Sequence, residues 1–234
     1  MMPDTAAAAA KWLAEAWHSG DALASLPPEA APKDMAAGEA IALALVEELG
    51  QHVCGVRLAP GPDGLTRLAA PMLEPRMLRA GTPVALSTLR QPRISAGILG
   101  VLAEGLGEGA PVFSALHPVI DIAATRFGRT PTDAPSLLAD LGGLGLVLVG
   151  KRSALPLPED GEVRIGPTGS HPRKLRAPLA ALMEEAAGEA RRLGGLPAGA
   201  VLVVAGLATG APPLPGQKWS AAVGSVGRIS ALLD

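Results

Sequence analysis

The 234-residue chain contains no tyrosine, two phenylalanines and three tryptophans, so its interior has to be filled by small aliphatic side chains, and cavities walled by stacked rings are not expected. A single cysteine, Cys54, excludes an intrachain disulfide framework and a thiolate zinc cage, and it fits a reducing compartment. The four histidines, His18, His52, His117 and His171, show neither i, i+4 nor HExxH spacing, which argues against an imidazole metal site. Basic tracts interleaved with aromatic residues are missing and the formal net charge is -2, so nucleic acid is not an expected partner. The most apolar stretches, 141–150 and 201–207, are too short and too glycine-rich to span a bilayer. The start, with Asp4 and Lys11 around an alanine run, lacks the basic, long-apolar and small-residue parts of a signal peptide. The expectation is a cytoplasmic protein that engages no membrane.

What the chain does have is 48% hydrophobic residues, enough to bury a sizeable core in one globular unit. Ala8, Trp12, Leu13, Ala16 and Trp17 recur at helical spacing and predict a helix over 5–17. Asp34 caps a second predicted helix that runs to Leu49, with Ile41, Leu45, Val46 and Leu49 on one face and Gly50 as its stop. The texture then changes to short apolar runs at 53–58, 83–86, 94–102, 119–123 and 144–149, separated by glycine and proline, which read as strands. A helix over 178–193 interrupts them, with Pro178 in its first turn and Gly194-Gly195 beyond its end. Segments 200–207 and 219–226 predict two closing strands. Helices followed by a strand-rich body is an α+β order, not the alternation of a doubly wound sheet. A helical region over 1–50, packed on a β-rich domain over 51–234, is expected to form one structural unit.

Several segments in series are similar to the motifs of one family. Val53-Cys54-Gly55-Val56-Arg57-Leu58 is similar to its V-x-G-R-K-I-G strand, and Gln91-Pro92-Arg93-Ile94-Ser95-Ala96-Gly97-Ile98 to Q-P-K-V-E-A-E-I. Pro118 to Arg126 resembles P-A-L-E-V-V-G-S-R, Leu138-Ala139-Asp140-Leu141 resembles V-A-D-N, Pro197 to Gly206 resembles R-T-G-D-I-I-L-T-G, and Gly224-Ser225-Val226 resembles G-S-V. By their order and spacing from Ala40 onward the chain resembles the 2-keto-4-pentenoate hydratase branch of the fumarylacetoacetate hydrolase superfamily. The resemblance implies a rolled, strongly bent β-sheet body with N-terminal helices and one inserted long helix outside. It also implies a site in which three carboxylates hold magnesium or manganese and a lysine and acidic groups manage proton transfer on a 2-oxo acid.

The resemblance places the paired glutamates at Ser95 and Gly97, the third carboxylate at Asp121, the lysine at Arg57 and, more loosely, an acidic position at Arg67. Hard divalent cations want several oxygen ligands, preferably charged, and one carboxylate in place of three predicts no cofactor, with magnesium or manganese only where the substrate supplies ligands. Arg57 and Arg67 could hold a carboxylate by forked hydrogen bonds, with Ser95, Asp121 and Gly206 beside it, Gly206 standing in Ala205-Gly206 where the family has Thr-Gly. The family's His-Pro falls either on His171-Pro172 or on Ala177-Pro178. Plainer readings stand beside these. Asp121 serves equally well as a salt-bridge partner of an arginine, Arg67 as a surface loop residue, Asp140 as a brace of the Gly142-Gly143 turn, and Cys54 as an inert buried thiol. Two functions follow: a hydratase-type lyase acting on a small 2-oxo or dienol acid, or a non-catalytic relative that binds a small anion or supports an active partner. Trp12 and Trp17 on one helix predict self-association or a hetero-oligomeric partner.

Overall fold

A computed structural model describes residues 3–153 and 155–234. Two helices open the chain, α1 (Pro3–Ser19) and α2 (Met35–Leu49). Asp34 accepts from the Ala37 amide at 2.8 Å at the start of α2, and Gly50, at φ 59°, returns its amide to Val46 and Glu47 at the end, so both ends are closed by the residues the sequence indicated. The body follows as β1 (Val53–Pro60), β2 (Arg67–Leu73), β3 (Met77–Arg79), β4 (Arg93–Leu102), β5 (Phe113–Ala123), α3 (Ala134–Ala139), β6 (Leu146–Val149), β7 (Gly161–Pro167), β8 (Leu175–Ala177), α4 (Leu179–Arg192), β9 (Val201–Thr209), β10 (Gln217–Val223) and β11 (Gly227–Leu233).

Seven strands form one sheet in the order β2-β1-β9-β4-β5-β6-β3, and four form a second in the order β11-β10-β7-β8. The large sheet is buried on both faces, which is why its strands read as unbroken apolar runs rather than alternating ones. Ile94, Ile98, Ile120, Ile122, Leu202 and Val204 face the core shared with the small sheet and α4. Leu99, Val119, Val147, Val201 and Val203 face the core closed by α1 and α2 through Leu13, Ile41 and Leu45. This is the α+β, strongly curled arrangement expected from the sequence.

Segment 83–86 is not a strand: Val84 makes one isolated bridge to Leu233, and a 3-10 turn, Leu86–Thr88, follows. Pro83 has no amide to give to a ladder. The predicted strand over 219–226 ends at Val223 and passes into a 3-10 turn, Gly224–Val226. Of the two tryptophans behind the expected association, Trp17 is engaged within the chain, with the guanidinium carbons of Arg76 and Arg126 lying 4.0 and 4.7 Å from its ring centre. Trp12 stays 51% exposed. Among the described residues no helix is long and apolar enough to cross a membrane.

Candidate active site

The even-numbered residues of β4 and β5 point to the small sheet, so Ser95, Gly97 and Asp121 lie on the opposite, helix-bearing side, and Arg57 of β1 joins them between Val56 and Leu58. Ser95 and Asp121 are direct cross-strand partners. Strands β9 and β4 lie between Arg57 on β1 and β5, three strand spacings or about 14 Å in a flat sheet. An arginine cannot reach that far, yet Arg57 Nε donates to Asp121 Oδ1 at 2.7 Å and Nη2 donates to Oδ2 at 2.8 Å. The curl of the sheet makes the contact. Arg57 Nη1 also donates to the Gly142 carbonyl at 3.0 Å. Both side chains are nearly sealed, Arg57 at 1% and Asp121 at 2% exposure.

Gly97 does more than lack a charge. Strand β9 bulges against β4 between Ala96 and Ile98, with Gly206 at φ +72° in the bulge, and a Cβ placed on Gly97 would lie 2.4 Å from the Val204 carbonyl oxygen. The same bulge turns the Gly206 amide onto Ser95 Oγ at 3.1 Å. Ser95 therefore accepts from the backbone, and its own proton has no acceptor among the described residues.

Arg57, Ser95 and Asp121 form part of the wall of a cavity of about 610 Å³ whose other walls come from the Pro60–Pro62 turn, the 123–125 and 130–132 segments, the Gly142-Gly143 turn and the 206–212 stretch. Its titratable lining consists of Arg57, Asp121 and Arg93, with no histidine, cysteine or lysine. Arg93 is the residue that sequence reasoning passed over. It opens β4 opposite Ala123, is exposed at the cavity wall, and its guanidinium has no hydrogen bond or ion pair among the described residues. Gln91, at φ 47°, holds the rim: its side-chain oxygen accepts from the Thr130 amide at 3.1 Å and hydroxyl at 3.0 Å, and its side-chain nitrogen donates to the Gly128 carbonyl. Arg67 stands apart from this cavity, on β2, with Nε 3.7 Å from Glu185 of α4. Gly206 lines the cavity through its backbone.

Behind the wall lies a second buried pair. Asp140 is fully buried and accepts from Thr125 Oγ1 at 2.9 Å, the Arg126 amide at 3.1 Å and Arg126 Nε at 2.5 Å. Arg126 also donates to the Leu144 carbonyl at 2.6 Å and the Asp140 carbonyl at 2.9 Å. Burial pushes the Asp140 carboxyl above the usual carboxylate range, and Arg126 works against that push. The pair ties Thr125 and the 141–143 turn, left-handed at all three residues, into one rigid wall. Arg76, beside Trp17, is lowered to about 10 by burial and by the like charge of Arg126.

A rolled seven-stranded sheet backed by a smaller sheet, with this pocket at its curl, is the fumarylacetoacetate hydrolase-like fold. The chain is similar over 100% of its length to 4-oxalocrotonate decarboxylase from Pseudomonas putida G7, at 17% identity and 99% coverage of that chain. The TM-score is 0.80 for that enzyme's complex with calcium and acetate and 0.81 for its complex with magnesium and adipate. Fumarylpyruvate hydrolase from Pseudomonas aeruginosa, in complex with Mn2+ and pyruvate, matches at TM-score 0.56 and 12% identity, covering 76% of this chain and 88% of that one. The 2-hydroxyhepta-2,4-diene-1,7-dioate isomerase from Mycobacterium marinum matches at TM-score 0.56 and 11% identity, covering 78% and 76%. No protein-family model matches the chain, and no curated protein does.

The expectation of no cofactor is corrected by these structures. Proteins of this fold are crystallised with calcium, magnesium or manganese, so the exclusion of a divalent cation does not follow from the loss of glutamates at Ser95 and Gly97. The residues present here do not form a carboxylate cage of their own. Asp121 is the one carboxylate lining the pocket, both its oxygens accept from Arg57, and no group of three or more His, Cys, Asp or Glu gathers among the described residues.

Proposed function

We propose that this chain is an enzyme of small carboxylic acids, a hydratase-like lyase that takes a 2-oxo or dienol acid into the pocket above Arg57 and Asp121. The observation that carries the reading is a carboxylate held in hydrogen-bonding geometry by a buried guanidinium on the floor of a pocket whose remaining lining is mostly neutral. Hydration of a dienol acid needs a proton moved between carbon and a protein group. A guanidinium keeps its proton at neutral pH, which leaves Asp121 as the lining group able to carry one. The fold neighbours that hold acetate, adipate or pyruvate support a small acid as ligand.

A second reading has its own support. The lining offers one carboxylate and no other proton carrier, so the pocket would also serve a non-catalytic subunit that binds a small anion. One experiment separates them. The protein is incubated with 2-oxopentanoate in D2O, saturation-transfer NMR reads binding, and loss of the C3 proton signal reads proton abstraction. Binding with exchange well above the protein-free rate is expected. Binding without exchange selects the non-catalytic reading, and absence of both removes the pocket as an oxo-acid site.

A further inference from the structure

We infer that Arg93 is the anchor for the ligand's carboxylate, and that the pocket holds a 2-oxo monocarboxylic acid with its head on β4 and its tail uncharged. This rests on the reading of the pocket as an oxo-acid site and adds a residue, an orientation and a limit on the tail.

The charges along the wall decide the orientation. Arg57 and Asp121 cancel, and Arg57 already commits Nε, Nη1 and Nη2 to Asp121 and Gly142. A carboxylate brought to the floor would meet Asp121, a like charge in a desolvated place, and no free cation. Arg93 leaves the pocket one positive charge in excess, and its five N–H donors have no partner among the described residues. An unpaired, accessible guanidinium is the group that recognises a carboxylate by a two-pronged contact.

Spacing supplies the second half. Arg93 and Ser95 are two residues apart on one strand, so they share a face at about 7 Å. Ser95 Oγ accepts from the Gly206 amide and keeps its proton free to donate. A 2-oxo acid carries its carboxylate and keto oxygen on adjacent carbons, so the carboxylate meets Arg93 while the keto oxygen turns to Ser95. The position that continues this face inward, Gly97, is closed by the Val204 carbonyl, which stops the head from sliding deeper. The tail is left with Ala59, Pro60, Ala123, Ala124 and Leu137, where a second carboxylate finds no counter-charge.

The test is calorimetric titration of the full chain with 2-oxopentanoate, 2-oxoglutarate and 2-oxopentanamide. These are the monoacid, the same backbone with a second carboxylate, and the neutral head. The monoacid should bind at least tenfold tighter than either of the others. Arg93→Gln should weaken the monoacid at least tenfold and leave the amide unchanged, and Arg93→Lys should recover part of the loss. Since Arg93 is exposed and unpaired, neither substitution removes a contact the fold uses, and an unchanged melting temperature verifies this. An unaltered monoacid affinity in Arg93→Gln overturns the anchor while the oxo-acid reading stands. Equal or tighter 2-oxoglutarate overturns the limit on the tail. Failure of all three to bind the wild-type chain overturns the inference together with the reading beneath it.

Discussion

Two arginine–aspartate pairs lie on the same side of the large sheet, joined by the 140–144 turn, and they differ in what they leave unused. Asp140 accepts from a hydroxyl, an amide and a guanidinium, while Arg126 donates to two backbone carbonyls besides and lies over the Trp17 ring. Asp121 accepts from Arg57 alone, and an ionised carboxylate has about four acceptor sites. One pair is saturated and holds the wall; the other has acceptor capacity turned to a cavity. The chemistry of the two residues is the same, so the distinction between scaffold and site rests on unspent hydrogen-bonding capacity.

The comparison is most easily broken at the saturated pair. Asp140→Ala strands a buried guanidinium and should cost about 3–5 kcal/mol in urea unfolding, with ligand binding lost as the wall collapses. Replacing both partners there, Arg126→Met with Asp140→Leu, should recover little, because the backbone groups of Arg126, Asp140 and Leu144 lose their partners too. The cavity pair should behave differently. Asp121→Leu alone should cost about 3–5 kcal/mol, whereas Arg57→Met with Asp121→Leu should recover most of it, because the one backbone group that loses a partner, the Gly142 carbonyl, lines the cavity. The double variant should be a folded protein without proton-transfer activity. If both double variants respond alike, the distinction fails. Gly97→Ala, beneath the cavity pair, forces a methyl onto the Val204 carbonyl and should cost about 1–3 kcal/mol by thermal melting.

The smallest effect belongs to a group outside both pairs. Burial, with Glu74 nearby, raises the Cys54 thiol from 9.0 to about 11. The folded chain keeps a proton there that the unfolded chain gives up. Stability from this source is therefore constant below about pH 9 and falls as pH rises toward 11. Urea midpoints at pH 8 and pH 10 should drop more for the wild type than for Cys54→Ala.

Legibility followed burial. The strands β1, β4, β5, β6 and β9, sunk between two cores, announced themselves as apolar runs, and α2 announced its ends through Asp34 and Gly50. Strand β2 was missed because Pro71 interrupts it, which a strand at the edge of the sheet tolerates. Strands β7 and β11 carry only a two-residue alternation, Val163 and Ile165 inward with Glu162 outward, and Ile229, Ala231 and Leu233 inward with Ser230 and Leu232 outward. Helix α3 is six residues long, too short for a period to show, although Asp133 does cap it at Ser136. The letters in order single out Ser95, Gly97, Asp121 and Arg57, which the fold gathers on one side of the large sheet. Arg93 does not stand out in the same way, because being unpaired is a property of three dimensions, and the approach of Arg67 to Glu185 is equally invisible in the letters.

Trp17, under the two guanidinium groups, makes the protein its own optical instrument. With no tyrosine in the chain, ultraviolet-excited emission comes almost wholly from three indoles in unlike surroundings: Trp219 sealed, Trp12 half in water, and Trp17 against cations. Arg126 links Trp17 directly to the turn that forms the cavity wall, so a ligand that shifts that wall changes the colour or yield of one indole while the other two serve as internal references.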